Sequence, residues 1–373
     1  MRLFPKLVAV GAIAASGIAL SVAPAMADPP KGVQPKSTDI VGVGSNTIQN
    51  LMDQLSVDYN KAFPKGSRLY SWDALNPKTG LDENIATKKG CPDIVRPNGS
   101  GAGLAALILN AKVSGHYCID FSRSSSPRSS SAPPKAKGGV VFVALAKDAV
   151  TFATNAKTNA PAKLTTADLA AIYNCTATTW NKVGGKSHAR IDAQLPQTSS
   201  GTRKFFLAEI GVTAPGSCVN SSKGESGTVP PPDGNYPEEN EGTNKFLQGK
   251  NVIYPYSVGA YIAEVDHSSG KNKNEFGTDD HGTMVLRELN GTMPTVGKGT
   301  KTTVNPKFTP DFIRTLYDVV RWAKTSDNIP AYLEPLFSSA HAKVKGWICS
   351  SKEAQQAITN YGFLNTPFCG AGS

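Results

Sequence analysis

Three short stretches carry the residue types of an anion site. They are Gly44-Ser45-Asn46-Thr47, Gly99-Ser100-Gly101-Ala102-Gly103 and Ser199-Ser200-Gly201-Thr202. Each precedes a run with helical spacing, and each offers hydroxyl donors beside free backbone N–H groups. A helix N-terminus with such donors favours a negatively charged guest. Thr47, with the amides around Ser45 and Asn46, would donate to one oxygen. Ser100 would donate its hydroxyl and Gly101 its amide. Ser200, Gly201 and Thr202 would donate from elsewhere in the chain, and Gly201 lets the backbone approach a ligand closely. Ordinary N-capping accounts for any one of these turns. Three of them, far apart in sequence, point to convergence on one oxyanion.

Other constellations do not assemble. The histidines His116, His188, His267, His281 and His341 are scattered, mostly in polar stretches. Asp279-Asp280-His281 reads as a solvated loop before it reads as a metal site. Glu238, Glu239 and Glu241 read as an acidic surface loop, with a cation site or a hydrogen acceptor as the alternative. The Ser-Gly-Thr turn lacks the lysine of a P-loop. No Gly-x-Ser-x-Gly elbow is present. Aromatic and basic residues do not interleave as a nucleic-acid groove requires. No metal, cofactor or nucleic acid is expected.

The elements that must hold the three turns alternate between strand and helix. Asp39–Val43 reads as a buried strand, and Ile48, Leu51, Met52, Leu55, Tyr59 and Phe63 as a helix that Pro64 stops. Ile94-Val95 leads into the second turn, with Leu104, Leu107 and Ile108 in the helix behind it. Tyr117–Phe121 is a short strand. Val140–Leu145 is the strongest strand, after the Gly138-Gly139 break. Thr165-Thr166 caps a helix carrying Leu169, Ile172 and Tyr173. Ile191–Gln194 precedes the third turn, and Phe205, Phe206 and Ile210 follow it. Residues 214–243 read as a Gly/Pro/Ser-rich loop containing Pro230-Pro231-Pro232, and Val252–Tyr256 reads as a strand. Thr309-Pro310-Asp311 predicts a helix with Phe312, Ile313, Leu316, Val319 and Val320 as its stripe. Ser350-Ser351 and Glu353 begin a last helix, ended by Gly362. The alternation predicts an α/β fold with mainly parallel sheets, and ligands in such sheets sit beyond the C-terminal strand ends.

The chain has 373 residues and a net charge of +10, which suits anionic partners. Arg2 and Lys6, an apolar run from Leu7 to Val22 and Ala25-Met26-Ala27 predict a signal peptide over 1–27, cleaved after Ala27. No cysteine near that point offers a lipid acceptor. Residues 28–37 read as a flexible lead-in. Cys91, Cys118, Cys175, Cys218, Cys349 and Cys369 read as disulfides of an exported chain. Sequential pairing, Cys91–Cys118, Cys175–Cys218 and Cys349–Cys369, keeps each bridge inside one substructure. None forms Cys-x-x-Cys, which argues against zinc.

In the order and spacing of its motifs the chain resembles the phosphate-binding proteins of bacterial ABC phosphate importers (PstS-like, type II periplasmic-binding fold). Residues 39–47 are similar to that family's first strand and turn, and residues 99–103 to its second turn. Ile119-Asp120-Phe121-Ser122-Arg123-Ser124 is similar to its third binding loop, and Ser199-Ser200-Gly201-Thr202 to its Ser-Gly-Thr turn. Leu164–Tyr173 with Trp180-Asn181, and Val252–Tyr256, resemble its second lobe and returning crossover strand. The resemblance implies two lobes joined by two crossover segments. Lobe one takes 38–138 and 264–373, and lobe two takes 139–263. It implies a ligand held by Ser45, Asn46, Thr47, Ser100, Gly101, Arg123, Ser124, Ser125, Ser200, Gly201 and Thr202. The family places an aspartate where this chain has Ser125, and an arginine where it has Pro196. Arg123 and Arg203 are the candidate replacements for the guanidinium.

The function expected is therefore a secreted, monomeric solute-binding protein for phosphate or a related oxyanion, outside a Gram-positive cell, with an ABC permease as partner. The alternatives are a phosphatase-like enzyme on the same scaffold and a basic cell-surface protein with a degenerate cleft.

Overall fold

Eight strands form one sheet in the computed structural model, which describes residues 28–30, 32–220, 237–267, 274–339 and 345–373. The signal peptide expected over 1–27, the Pro230-Pro231-Pro232 run and His341 lie outside the described residues. In chain order the strands are β1 (Ile40–Gly44), β2 (Leu69–Ser71), β3 (Phe121–Ser124), β4 (Val140–Asn155), β5 (Asp192–Ala193), β6 (Val252–Ser257), β7 (Met284–Leu286) and β8 (Ile313–Arg321). Their order across the sheet is β5-β6-β4-β8-β3-β1-β2, with β7 also paired to β4. β1 runs parallel to both β2 and β3, and β5 parallel to β6. The long connecting strands β4 and β8 are antiparallel to each other and to their other neighbours.

β4 belongs to both halves of the molecule. Its first part, Val140–Ala149, pairs with β8. Its last residues, Val150–Asn155, pair with β6 and β7. The cores divide at that change of partner. Val141, Val143 and Leu145 face one core with Leu51, Leu55, Phe121 and Ile358, whereas Val140 and Phe142 face Leu107, Ile119 and Val319 on the opposite side of the sheet. This is the two-residue alternation of a strand buried on both faces. Beyond Ala149 the strand enters a second core with Phe152, Leu169, Tyr173, Trp180, Phe206 and Tyr254.

Asp148 sits at the junction. Its Oδ2 accepts from Arg314 Nη2 at 2.7 Å, Arg314 Nε at 3.0 Å and Ser257 Oγ at 2.9 Å, and its Oδ1 accepts from Gly259 N at 2.9 Å. One buried carboxylate thus ties β4, β8 and the end of β6 together.

The stretch after Thr309-Pro310-Asp311 is a strand, not the expected helix. Its Ile, Leu and Val positions satisfy a helical period, but they also fit a central strand with apolar matter on both faces. Leu316 and Val320 face one core and Val319 the other. Pairing with β3 and β4 on its two edges outweighs local propensity. The expected lobe boundary at residue 264 does not coincide with the division of the cores either. Met284, Leu286, Leu289, Val304, Phe308 and Phe312 pack in the second core with residues 149–262, because β7 adds to the far end of β4.

The helices that matter for the site are α1 (Gln49–Ala62), α2 (Ser100–Ile108), α3 (Thr166–Tyr173), α4 (Gly201–Glu209) and α5 (Lys352–Asn360). α3 begins with a Thr165–Asp168 capping box, and Ser351 caps α5 through the Ala354 amide at 2.9 Å. The cysteines pair sequentially, Cys91 with Cys118, Cys175 with Cys218 and Cys349 with Cys369. No helix among the described residues is long and apolar enough to cross a membrane.

Candidate functional site

The three Gly/Ser/Thr turns meet. α1, α2 and α4 present their N-terminal ends where β1 and β3 stop, and a cluster of hydroxyls lies between them. Ser125 Oγ is the hub. Ser45 Oγ donates to it at 3.0 Å, Thr47 Oγ1 approaches it at 3.4 Å and Ser100 Oγ at 3.3 Å. Ser125 N donates to Ser100 Oγ at 3.0 Å. Thr202 Oγ1, from α4, stands 3.2 Å from Thr47 Oγ1. The first and second halves of the molecule are thus in direct contact here. Gly101 N also donates across to Ser199 O at 2.9 Å.

Gly201 makes the approach of α4 feasible. A Cβ at that position would stand 2.3 Å from both Ser100 Oγ and Ser125 Oγ. Gly99 adopts φ +92° and meets Ser199 O in the same way, so each side of the contact has a residue without a side chain.

Other candidates have different surroundings. Ser200 Oγ accepts from Arg203 N at 3.0 Å and caps α4. Ser124 Oγ turns to Ser126 O at 2.9 Å. Asn46 Nδ2 donates to Glu238 Oε2 at 3.1 Å. Arg123 lies fully buried behind the cluster, donating to Ser45 O at 3.0 Å, Ser71 Oγ at 2.6 Å and Gly44 O at 3.2 Å. Its charge faces Asp53, Asp73 and Asp318. Burial pushes the Asp73 and Asp318 carboxyls up to about 7, against the pull of Arg123. Arg203 donates to Pro196 O at 3.0 Å. Asp120 is a strand-end anchor: it pairs with Lys88 at 2.7 Å and accepts from Val41 N and Tyr332 OH.

The residues that sequence reasoning placed at the surface fill the centre. Glu238 and Glu239 are only 6% and 5% exposed. The Glu239 carboxylate takes a hydrogen bond from Thr47 Oγ1 at one oxygen and from Thr202 N, at 3.2 Å, at the other. Glu238 accepts from Asn98 Nδ2 at 2.9 Å and from Gln197 Nε2 at 3.1 Å. Burial pushes the Glu238 carboxyl up to about 8. A cavity of about 200 Å³ opens beside them, lined in part by Asn46, Thr47, Glu264, Phe276 and Tyr361. Asn98, Gln197 and Arg314, whose Nη1 donates to Ser125 O at 2.9 Å, were also missed. The Glu pair falls in a stretch without periodicity, and only its flanking tyrosine-rich strand hints at an anchor. Tyr254 OH donates to Glu238 O at 2.9 Å, and Tyr256 OH to Asn240 O at 2.7 Å.

Residues 29–243 match the family description "PBP superfamily domain". The chain belongs to the PBP superfamily. No curated protein sequence matches it. Among solved structures, it is similar to a candidate phosphate ABC transporter substrate-binding protein of Clostridium perfringens solved with bound phosphate, at 14% identity and a TM-score of 0.51, covering 88% of this chain and 99% of that one. It is similar to an ABC-type phosphate transport receptor of Vibrio cholerae at 18% identity and a TM-score of 0.51, covering 88% and 100%. At such identities the likeness establishes the fold. This PBP-superfamily chain has the two-lobed α/β architecture, with its hydroxyl cluster between the halves.

Proposed function

We propose that the chain is an exported solute-binding protein that takes phosphate or a related oxyanion between two lobes and serves an ABC importer. The observation that carries this reading is the meeting of Ser45, Thr47, Ser100, Ser125 and Thr202 at three helix N-termini. Hydroxyls and helix ends supply donors without a fixed positive charge, and a desolvated oxyanion suits them. The solved relatives named above are titled for phosphate transport, which supports phosphate as the first ligand to test. The signal peptide read from the sequence over 1–27 and the positive net charge support an extracellular role. The binding residues proposed are those five with Gly201, and Arg123 acts from behind by holding Ser45 in place.

A charged-group hydrogen bond contributes about 1.5–3 kcal/mol. Thr202→Val should therefore weaken anion binding by about tenfold or more. Titration calorimetry of the mature chain with inorganic phosphate and with sulfate measures this. Affinity for neither anion would overturn the proposal.

A further inference from the structure

We infer that the Glu239 carboxylate is an internal ligand of the donor cluster, so that a free oxyanion binds by exchanging with it. The inference rests on the oxyanion reading above and adds a regulatory device to it. A carboxylate presents two negatively charged acceptor oxygens, the same chemistry that two oxygens of phosphate or sulfate offer. Here those oxygens take Thr47 Oγ1 from the first half and Thr202 N from the second. The neighbouring Glu238 carboxyl, protonated up to about 8, also reaches both halves, with Asn46 and Asn98 on one side and Gln197 on the other.

The segment is positioned for this. Besides the Tyr254 and Tyr256 hydroxyls, Ser257 N donates to Asn240 Oδ1 at 3.2 Å. The carboxylate is therefore held in place against β6 from both neighbouring residues. An incoming anion competes against this internal carboxylate, and its apparent affinity falls by the fraction of chains in which the donors are free. Lys204 stands at the same edge, its Nζ beside Gly101. Burial lowers the Lys204 pKa while the Glu239 charge raises it. Once Glu239 leaves, that ammonium faces the guest instead.

The contacts predict two behaviours. The unliganded chain stays closed, because the Glu239 carboxylate joins both halves without any guest. Removing the carboxylate opens the unliganded chain and strengthens anion binding. A carboxylate that instead assisted the guest would give weaker binding on removal.

The test uses the mature chain and its Glu239→Ala variant, with Glu239→Gln as a variant that keeps the side-chain volume. Small-angle scattering without anion reads the cleft, and titration calorimetry with inorganic phosphate and sulfate reads affinity. Expected results are a larger radius of gyration for Glu239→Ala and at least tenfold tighter anion binding, with Glu239→Gln shifted in the same direction. Unchanged or weaker binding in both variants overturns the inference. If neither the wild type nor the variants bind either anion, the oxyanion reading fails instead. The scattering comparison then decides alone: identical profiles overturn the internal latch, and an opened variant upholds it.

Discussion

Replacing Arg123 with leucine separates two jobs that a guanidinium behind an anion site can have. If it holds the site up, its loss unfolds the chain more easily; if it binds the guest, its loss costs affinity alone. The structure favours the first. All three nitrogens donate to protein oxygens, and Asp53, Asp73 and Asp318 face its charge. Among the described residues, neither carboxylate oxygen of Asp318 has a hydrogen-bond partner. Removing one partner from such a buried set costs about 3–5 kcal/mol. The cost depends on pH. Asp73 and Asp318 hold their protons up to about 7 in the folded chain, whereas unfolded aspartate releases its proton near pH ~4. Within that window the folded state binds more protons, so stability falls as pH rises, by about 1.4 kcal/mol per pH unit for each carboxyl. Without Arg123 both carboxyls shift further up, and the fall continues to higher pH. The penalty of Arg123→Leu should be smallest near pH ~5 and reach about 3–5 kcal/mol by pH ~8. Urea unfolding followed by tryptophan fluorescence at several pH values measures it. A loss below about 1 kcal/mol at the alkaline end, with anion binding abolished, would refute the supporting role.

Two further outcomes are expected. Gly201→Ala places a methyl group 2.3 Å from the Ser100 and Ser125 hydroxyls, so it should force the halves apart and weaken phosphate binding by about tenfold or more in calorimetry, with a small change in urea midpoint. Glu238, buried and facing Asn46, Asn98 and Gln197 with the charges of Glu239, Glu241 and Asp82 nearby, keeps its proton up to about 8. Because the folded pKa is raised, its contribution is full at acid pH and is lost as pH rises through about 8. Glu238→Gln should remove that step from a plot of urea midpoint against pH, and an unchanged step would show that another group titrates.

The turns were legible because their chemistry is local. A Ser, Thr or Gly before a helical period marks a helix start wherever the helix goes; α1 and α4 begin within two residues of the expected place, and α2 begins at Ser100, inside the expected turn. The convergence of those turns followed from strand-then-helix order. β8 was not legible, because a strand covered on both faces loses the alternation that identifies strands, and Phe312–Val320 satisfies the helical period by coincidence. Glu238 and Glu239 were hidden for a different reason. Acidic residues in a Pro/Gly/Ser-rich stretch read as solvated, and only distant donors, Thr47, Asn98, Gln197 and Thr202, bring them inside. Arg123 looked like a ligand arginine because its counter-charges lie far along the chain, at Asp53, Asp73 and Asp318.

The Asp148 junction has a mechanical consequence. Three chain segments that pass between the halves are fastened to a single side chain, so that point is a bonded junction rather than a loose linker. The two bonds from Arg314 join register partners of β4 and β8, whereas those from Ser257 and Gly259 reach the end of β6. The same arginine that closes the junction also grips the Ser125 carbonyl. One contact chain thus runs from the end of β6 through Asp148 and Arg314 to the residue at the hub of the donors.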